Sequence, residues 1–252
     1  MAEGDTIHRT ARRLEGALGG RTIDLADAAS ARSPVLHRAG ELSGRTLEAV
    51  EARGKHLLAT FSGDLGLHSH LGITGRWTIG TAGELRGRPW LRLRSGEAAA
   101  AQFGGRLLRI EPAARLRSDP MLLRLGPDPL ADDFDPEAAA ARLRSLEPSR
   151  EVGDALLDQR VIAGIGNAIR AEALFRAGVN PWRRMGDLRR DEAAAIVAHA
   201  RDVMAAALAT GRRPGRLYRR AGRPCPTCGS AIRSRRQGDA NRIAYWCPRC
   251  QT

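Results

Sequence analysis

The sequence predicts a multidomain α+β protein: an N-terminal helix, a β-sandwich, then a C-terminal helical domain ending in a small four-cysteine module. Three observations carry this. Short apolar stretches separated by glycine turns fill residues 21–117, longer helical patterns dominate 136–209, and all four cysteines fall in the last 28 residues.

The first helix is expected over residues 5–18. Ile7, Ala11, Leu14 and Leu18 make one apolar stripe, and Gly19-Gly20 stop it. Strands are expected at 46–50, 56–61, 66–70, 76–79 and 107–111. Residues 118–136 carry four prolines and many aspartates and read as a hinge. Helices follow at 136–146, at 150–159 with Ser149 as cap, at 167–177 and at 190–209. Ala98–Ala101 and Ala138–Ala141 read as low-complexity patches without chemical content. The domains are accordingly 1–118, a hinge at 119–136, 137–211 and 212–252.

The composition is globular, with 42% hydrophobic and 27% charged residues among 252. No stretch approaches about 18 uninterrupted apolar residues, the length of a membrane span. The acidic start, Met-Ala-Glu-Gly-Asp, lacks the apolar core of a secretory signal. An intracellular, cytoplasmic and nucleoid-associated protein with no membrane partner is expected.

Lys and Arg number 41 against 28 Asp and Glu, a net charge of +13. Residues 211–252 hold 11 arginines and one acid, Asp239, whereas the other 210 residues hold 30 cations and 27 acids. A positive field concentrated on one small module points to a polyanion, nucleic acid first. Lys55 is the only lysine in the chain. A lysine is a compact point charge with a tunable pKa, which arginine is not.

Cys225-x2-Cys228 and Cys247-x2-Cys250 are separated by 18 residues. In a reducing compartment this spacing reads as a four-thiolate zinc site, and a module this small needs a metal in place of a core. Four thiolates leave no open coordination position, so one structural zinc ion is expected. Residues 163–170, Ala-Gly-Ile-Gly-Asn-Ala-Ile-Arg, place two glycines before a helix start. Such a start offers free N–H groups to a phosphate; an ordinary corner that uses glycine for its backbone freedom fits as well.

Several of these signals coincide in one known pattern. Glu3-Gly-Asp-Thr6, Gly54-Lys55-His56-Leu57-Leu58, Ser69-His-Leu-Gly-Ile-Thr-Gly75, Leu125-Gly-Pro-Asp-Pro-Leu130, Leu156-Leu-Asp-Gln159 with Gly164-Ile-Gly-Asn167 and Glu172, and Gly222-Arg-Pro-Cys225 with Asn241-Arg242 and Tyr245-Trp-Cys-Pro-Arg-Cys-Gln251 follow one another in order. Together they resemble the formamidopyrimidine-DNA glycosylase/endonuclease VIII family of base-excision repair enzymes, over nearly the whole chain. The resemblance implies that the helical domain is a helix–two-turn–helix domain and that the last module is a zinc finger. It implies a monomer with two lobes acting on double-stranded DNA that carries damaged bases or abasic sites.

The resemblance also implies a mechanism. The damaged base is flipped out of the duplex. Once Met1 is removed, the amine of Ala2 attacks the sugar C1′, the base departs, and a Schiff base to DNA remains. Strand cleavage follows by β-elimination, with δ-elimination in many members. An α-amine is partly neutral near pH 7, as a nucleophile must be. By the same resemblance Glu3 is the general acid for the opening sugar ring, and Lys55 holds phosphate or sugar and assists elimination. Arg124, Asn167 and Arg242 clamp phosphates around the flipped nucleotide, with His70 and Arg160 nearby. Ile73 fills the vacated stack as an apolar wedge. Read on their own residues, Glu3 is equally an acid complementing a helix dipole, and Ile73 equally a buried strand-end side chain.

Two departures stand out. Ala2 occupies the place of the family's proline, so the processed chain begins with a primary amine. A primary amine still forms an imine, but lacks the ring that fixes the attack angle and the obligatory charge of proline's iminium. Impaired catalysis, and an abasic- or damaged-DNA binder in its place, is the alternative function. Ala101-Gln-Phe-Gly104 stands where the 8-oxoguanine branch has Asp-Pro-Arg-Arg-Phe-Gly. Together with Glu3-Gly-Asp-Thr6, that difference points to the endonuclease VIII-like branch, which resembles enzymes for oxidised pyrimidines.

Overall fold

The computed structural model describes residues 2–252. The chain forms two compact units: Thr6–Arg124 with Ala2, and Leu125–Thr252 with Glu3–Asp5.

The first unit is a sandwich of two four-stranded antiparallel sheets beside a helix. Helix α1 (Gly4–Leu18) is followed by β1 (Leu25–Asp27), β2 (Leu47–Arg53), β3 (His56–Phe61), β4 (Leu65–His70), β5 (Arg76–Thr81), β6 (Leu91–Ser95), β7 (Ala98–Phe103) and β8 (Leu107–Pro112). One sheet has the order β1-β6-β7-β5, the other β2-β3-β4-β8. Alternation sorts the faces. In β3, Leu57, Ala59 and Phe61 point into the core with Leu67, Leu91, Leu93, Leu108 and Ile110, while Ile7, Leu14 and Leu18 of α1 complete it. The apolar stripe expected on α1 is the one that is buried.

Residues 98–103 are not an idle alanine patch. They form β7, hydrogen-bonded to β5 and β6, and Ala99, Ala100 and Ala101 are fully buried. Small side chains on both faces allow neighbouring layers to approach. The proposed hinge holds more structure than proline content suggests. Helix α2 (Ala113–Arg117) leads into α3 (Pro120–Leu123), whose start is capped by Asp119 accepting from the Met121 N–H at 2.7 Å.

The second unit is built on α4 (Pro136–Arg144), α5 (Val152–Ala155), α6 (Asn167–Arg176) and α7 (Arg190–Thr210). Asp135 caps α4 through the N–H groups of Glu137 and Ala138, with Pro136 in the first turn. The helix expected over 150–159 shrinks to one turn, and its cap is Glu151 rather than Ser149. The physical cause is local competition. The Arg150 guanidinium bonds Asp154 and Asp158, and the Gln159 side chain bonds the Gly164 N–H and the Ile165 carbonyl, which folds the chain into successive turns. Helix α7 is long and apolar enough to cross a membrane by length and composition. Its apolar face, Ile196, Val197, Ala200, Val203, Met204 and Ala207, is nevertheless fully buried, and most of it lies in the core with Ile165, Ile169 and Leu174. The last module is a hairpin of β9 (Arg233–Gln237) and β10 (Arg242–Trp246), flanked by the two cysteine turns.

Candidate active site and nucleic-acid interface

Ala2 is half-buried immediately before α1 and lines a cavity of about 230 Å³ with Thr6, Arg9, Thr10, Arg13, Leu71, Gly75, Arg76, Trp77 and Ile79. Among the described residues no carboxylate lines this cavity. Arg13 donates to the Ile79 carbonyl, and Arg76 lies 4.5 Å above the Phe103 ring.

Glu3 is completely buried. Its Oε1 accepts the Ala168 N–H at 2.9 Å and its Oε2 the Ile169 N–H at 3.1 Å. It therefore caps α6, a helix 165 positions later, rather than complementing its own helix. Gly166 makes this possible: a Cβ there would lie 2.3 Å from the Glu3 carboxyl carbon. Gly4 donates to the Gly164 carbonyl at 2.9 Å, and Gly164 has φ +85°, a conformation glycine adopts freely. The 163–170 run is thus no free phosphate cradle. Its first turn already holds an anion, and that anion is Glu3. Asp5 is buried beside Glu3 and receives a forked pair of hydrogen bonds from Arg213. Burial works against the Arg213 charge, but the Asp5 hydrogen bonds together with the Glu3 and Asp5 charges outweigh it and raise its pKa.

Lys55 follows Gly54 in the tight turn between β2 and β3, where Gly54 has φ +59°. It sits close enough to His56 and His70 to act on both electrostatically. His70 ends β4, and its Nδ1 accepts the Gly72 N–H at 3.1 Å. Ile73, in the loop between β4 and β5, is 61% exposed, which removes the buried strand-end alternative. Arg124 ends α3, is exposed, and donates through Nε to the Pro120 carbonyl.

Asn167 is the first residue of α6. Its amide donates to the Ile243 carbonyl at 2.8 Å and accepts from Arg170, so it is tied to the strand that Arg242 opens. Arg242 itself is exposed beside Asn241, which holds φ +52° at the hairpin turn. Arg160 is exposed but paired with Asp158 at 2.8 Å, and this pairing holds the Asp158 carboxyl well below its usual range. It offers less free charge than its sequence position suggests. Within the first unit the structure thus brings Lys55 and His70 together. Within the second it joins Glu3, Asn167 and the Arg242 strand through α6.

The four cysteine sulfurs all lie within 4.8 Å of one another, with Cys225 and Cys250 3.9 Å apart and Cys228 and Cys247 3.4 Å apart. Four sulfurs about 2.3 Å from a central ion would stand roughly 3.8 Å from each other. The donor set therefore fits one tetrahedral metal ion, and disulfides are absent among the described residues.

Some structural anchors have roles that the sequence does not reveal. Arg170 is buried and bonds the Gly153 and Ile243 carbonyls, Gln237 and Asn167; burial pulls its pKa down to about 10. Gln237 is buried and also donates to Glu151 and the Pro181 carbonyl. Glu172 Oε1 accepts the N–H groups of Arg216, Leu217 and Tyr218. These three residues fasten the cysteine module to α6. No periodicity signals them, because most of their partners lie far along the chain. On the sandwich, a hydrogen-bonded chain joins His56, His68, Arg109 and Asp119. The alternation of His68 and His70 along β4 was its one visible sign.

Residues 1–108 match the model of the formamidopyrimidine-DNA glycosylase N-terminal domain, and residues 125–217 match that of the formamidopyrimidine-DNA glycosylase H2TH domain. The chain is 40% identical to "Probable endonuclease 8 2" of Streptomyces coelicolor, over all of its length and 94% of the relative. It is 37% identical to "DNA-(apurinic or apyrimidinic site) lyase Nei2" of Mycolicibacterium smegmatis, over all of its length and 99% of the relative. Among solved structures, Lactococcus lactis Fpg in complex with DNA containing N7-benzyl-Fapy-dG superposes with a TM-score of 0.86 at 22% identity, covering 99% of each chain. Two domain models in sequence and whole-length relatives place the chain in the formamidopyrimidine-DNA glycosylase/endonuclease VIII family.

Proposed function

We propose that the protein is a DNA glycosylase and AP lyase of the endonuclease VIII type, acting on oxidised pyrimidines in duplex DNA through the Ala2 amine. One observation carries this reading: the chain matches, over its full length, a relative named for AP-site lyase activity. The cavity that Ala2 lines at the start of α1 is consistent with it. Glu3 is the acid for the sugar ring, Lys55 assists elimination, and Asn167, Arg124 and Arg242 meet the backbone. Ile73 fits the wedge role because it is apolar and exposed. The ion between the four thiolates is zinc, with a structural task.

Base release and Schiff-base formation break two bonds at C1′ and form two. The amine nitrogen bonds C1′ as the glycosidic electron pair leaves with the base, which takes up the proton that the nitrogen sheds; the nitrogen lone pair then closes the C1′=N bond as the C1′–O4′ bond breaks and the ring oxygen gains a proton from Glu3. A second reading rests on Ala2 itself. Without proline's ring the chain binds abasic sites but does not cut them. Borohydride trapping on an abasic-site duplex, with the N-terminus verified by mass spectrometry, separates the two. A cross-link mapped to Ala2 establishes the lyase. Tight binding by the processed chain with neither cross-link nor cleavage replaces it with the binder.

A further inference from the structure

The outer face of β3 and β4 carries three histidines that the proposed mechanism leaves mostly unused. His56 pairs with His70 across the strands, and His68 lies one step along, opposite Leu58 on β3 and Arg109 on β8. The rings of His56 and His70 are 4.8 Å apart, edge to face. His56 is 6% exposed and His68 is fully buried.

The hydrogen bonds fix where each proton sits. Arg109 Nη2 bonds His68 Nδ1 at 2.9 Å and Asp119 at 2.5 Å. A guanidinium has no lone pair to accept with, so His68 Nδ1 is the acceptor. The His68 proton is then on Nε2, which donates to His56 Nδ1 at 2.7 Å. His56 in turn carries its proton on Nε2. His70 reaches the same state independently, because its Nδ1 accepts the Gly72 N–H. Neither His56 Nε2 nor His70 Nε2 has a hydrogen-bond partner among the described residues, and neither atom is sealed from solvent. The result is two oriented N–H donors beside the Lys55 cation.

We propose that His56 is a further DNA-binding residue: its Nε2–H, set by the chain Asp119–Arg109–His68, joins His70 and Lys55 in holding one phosphodiester group of the substrate strand. His68 and Arg109 are positioning residues. The proposal rests on the DNA-directed reading above. A neutral donor suits this place. The groups facing these histidines are Lys55, Arg106, Arg109 and Asp119, with Glu111 paired to Arg109. Burial first, and then the surrounding cations and neighbouring rings, lowers His56 to about 3 and His68 and His70 to about 4. A protonated His56 would also set its Nδ1–H against the His68 Nε2–H. The site thus adds donors at neutral pH without adding charge.

The tautomers are checked first in the unmodified protein, by long-range 1H–15N correlation of the imidazoles. The expected result is Nε2–H for His56, His68 and His70 from pH 5.5 to 8; an Nδ1–H form of His56, or an imidazolium at pH 6, overturns the proposal. In His68→Leu, His56 is expected to lose its fixed tautomer. Next, affinity for an abasic-site duplex is measured against salt. His56→Ala is expected to bind about ten-fold more weakly, the worth of a hydrogen bond to a charged group, with the slope of log K against log salt unchanged. His56→Gln, which keeps an N–H, is expected to recover part of the loss. Lys55→Gln should lower the slope by about one. Unchanged affinity in a folded His56→Ala, or a reduced slope, overturns the proposal. Failure of the unmodified protein to bind the duplex overturns the DNA reading instead, and the tautomer result stands apart from it.

Discussion

Glu3 shows how one side chain can answer two demands. Its carboxylate closes the start of α6 and lies next to the residue proposed as nucleophile. Glu3→Gln keeps one acceptor oxygen but replaces the other with a donor facing an N–H group. A loss of about 1–3 kcal/mol in unfolding free energy is expected from urea titration, the cost of a buried polar group left unmet. Strand cleavage should fall further than that loss of stability explains, whereas a purely structural Glu3 would leave cleavage by the folded fraction intact. The histidines give a second prediction at this scale. Unfolded histidine titrates near 6.5, but in the folded chain His56 takes up its proton only near 3 and His68 and His70 near 4. Between these limits the unfolded state binds more protons, so stability is complete above about pH 6.5 and declines as pH falls towards 4, by up to about 1.4 kcal/mol per pH unit for each histidine. Urea midpoints measured from pH 7 to 4.5 should show a shallower decline in His68→Leu than in the parent, once the constant difference between the two proteins is removed. Identical slopes would discard this account. Individual residues were legible where the residue type itself is scarce: one lysine and four cysteines. Arg170 was not legible, because 40 arginines look alike until one of them is buried.

Elements were legible where periodicity is strong and a stop signal follows. Helix α1 shows both, with its stripe and Gly19-Gly20. Strand β7 shows neither, because a run of alanines carries no alternation, and only its buried position between two strands makes it β. The one-turn α5 failed for the opposite reason, as an apolar pattern was overruled by side chains bonding local backbone. The tie between Glu3 and α6 depends on Gly166. Gly166→Ala forces a methyl into the Glu3 carboxyl group, and a cost of about 1–3 kcal/mol is expected, with loss of the Glu3 cap. Thermal unfolding of that variant beside Gly16→Ala, where a Cβ meets nothing within 4 Å, isolates the effect; equal melting temperatures would refute it. The cysteine hairpin gives another test. Metal analysis should find one zinc per chain, and chelation should melt β9 and β10. Because Ile243 holds Asn167 and Arg170, chelation should also weaken duplex binding. A metal-free chain that keeps its hairpin and its affinity would contradict this.

At the scale of the whole molecule, the charge imbalance was readable from the letters alone: the C-terminal 42 residues supply most of the excess. The order of sandwich, helices and cysteine module followed from pattern and spacing. The tie between Glu3 and α6 could not, because 165 positions separate the partners and nothing in either segment names the other. Duplex binding should weaken steeply as salt rises. Arg242→Gln should lessen that dependence by about one unit of slope and weaken binding to every duplex alike, since backbone contacts carry no sequence information. Competition assays across salt concentrations with damaged and undamaged duplexes test this, and a loss confined to one sequence would assign Arg242 to base reading instead.

The solitary lysine also has a practical consequence. The protein offers an acylating reagent two aliphatic amines, the α-amino group and Lys55 Nζ. Mass spectrometry after brief modification, with and without an abasic-site duplex, would therefore report on both proposed chemical groups from unaltered protein. Shielding of each amine by the duplex can be read separately, peptide by peptide, with no competing signal from elsewhere on the surface.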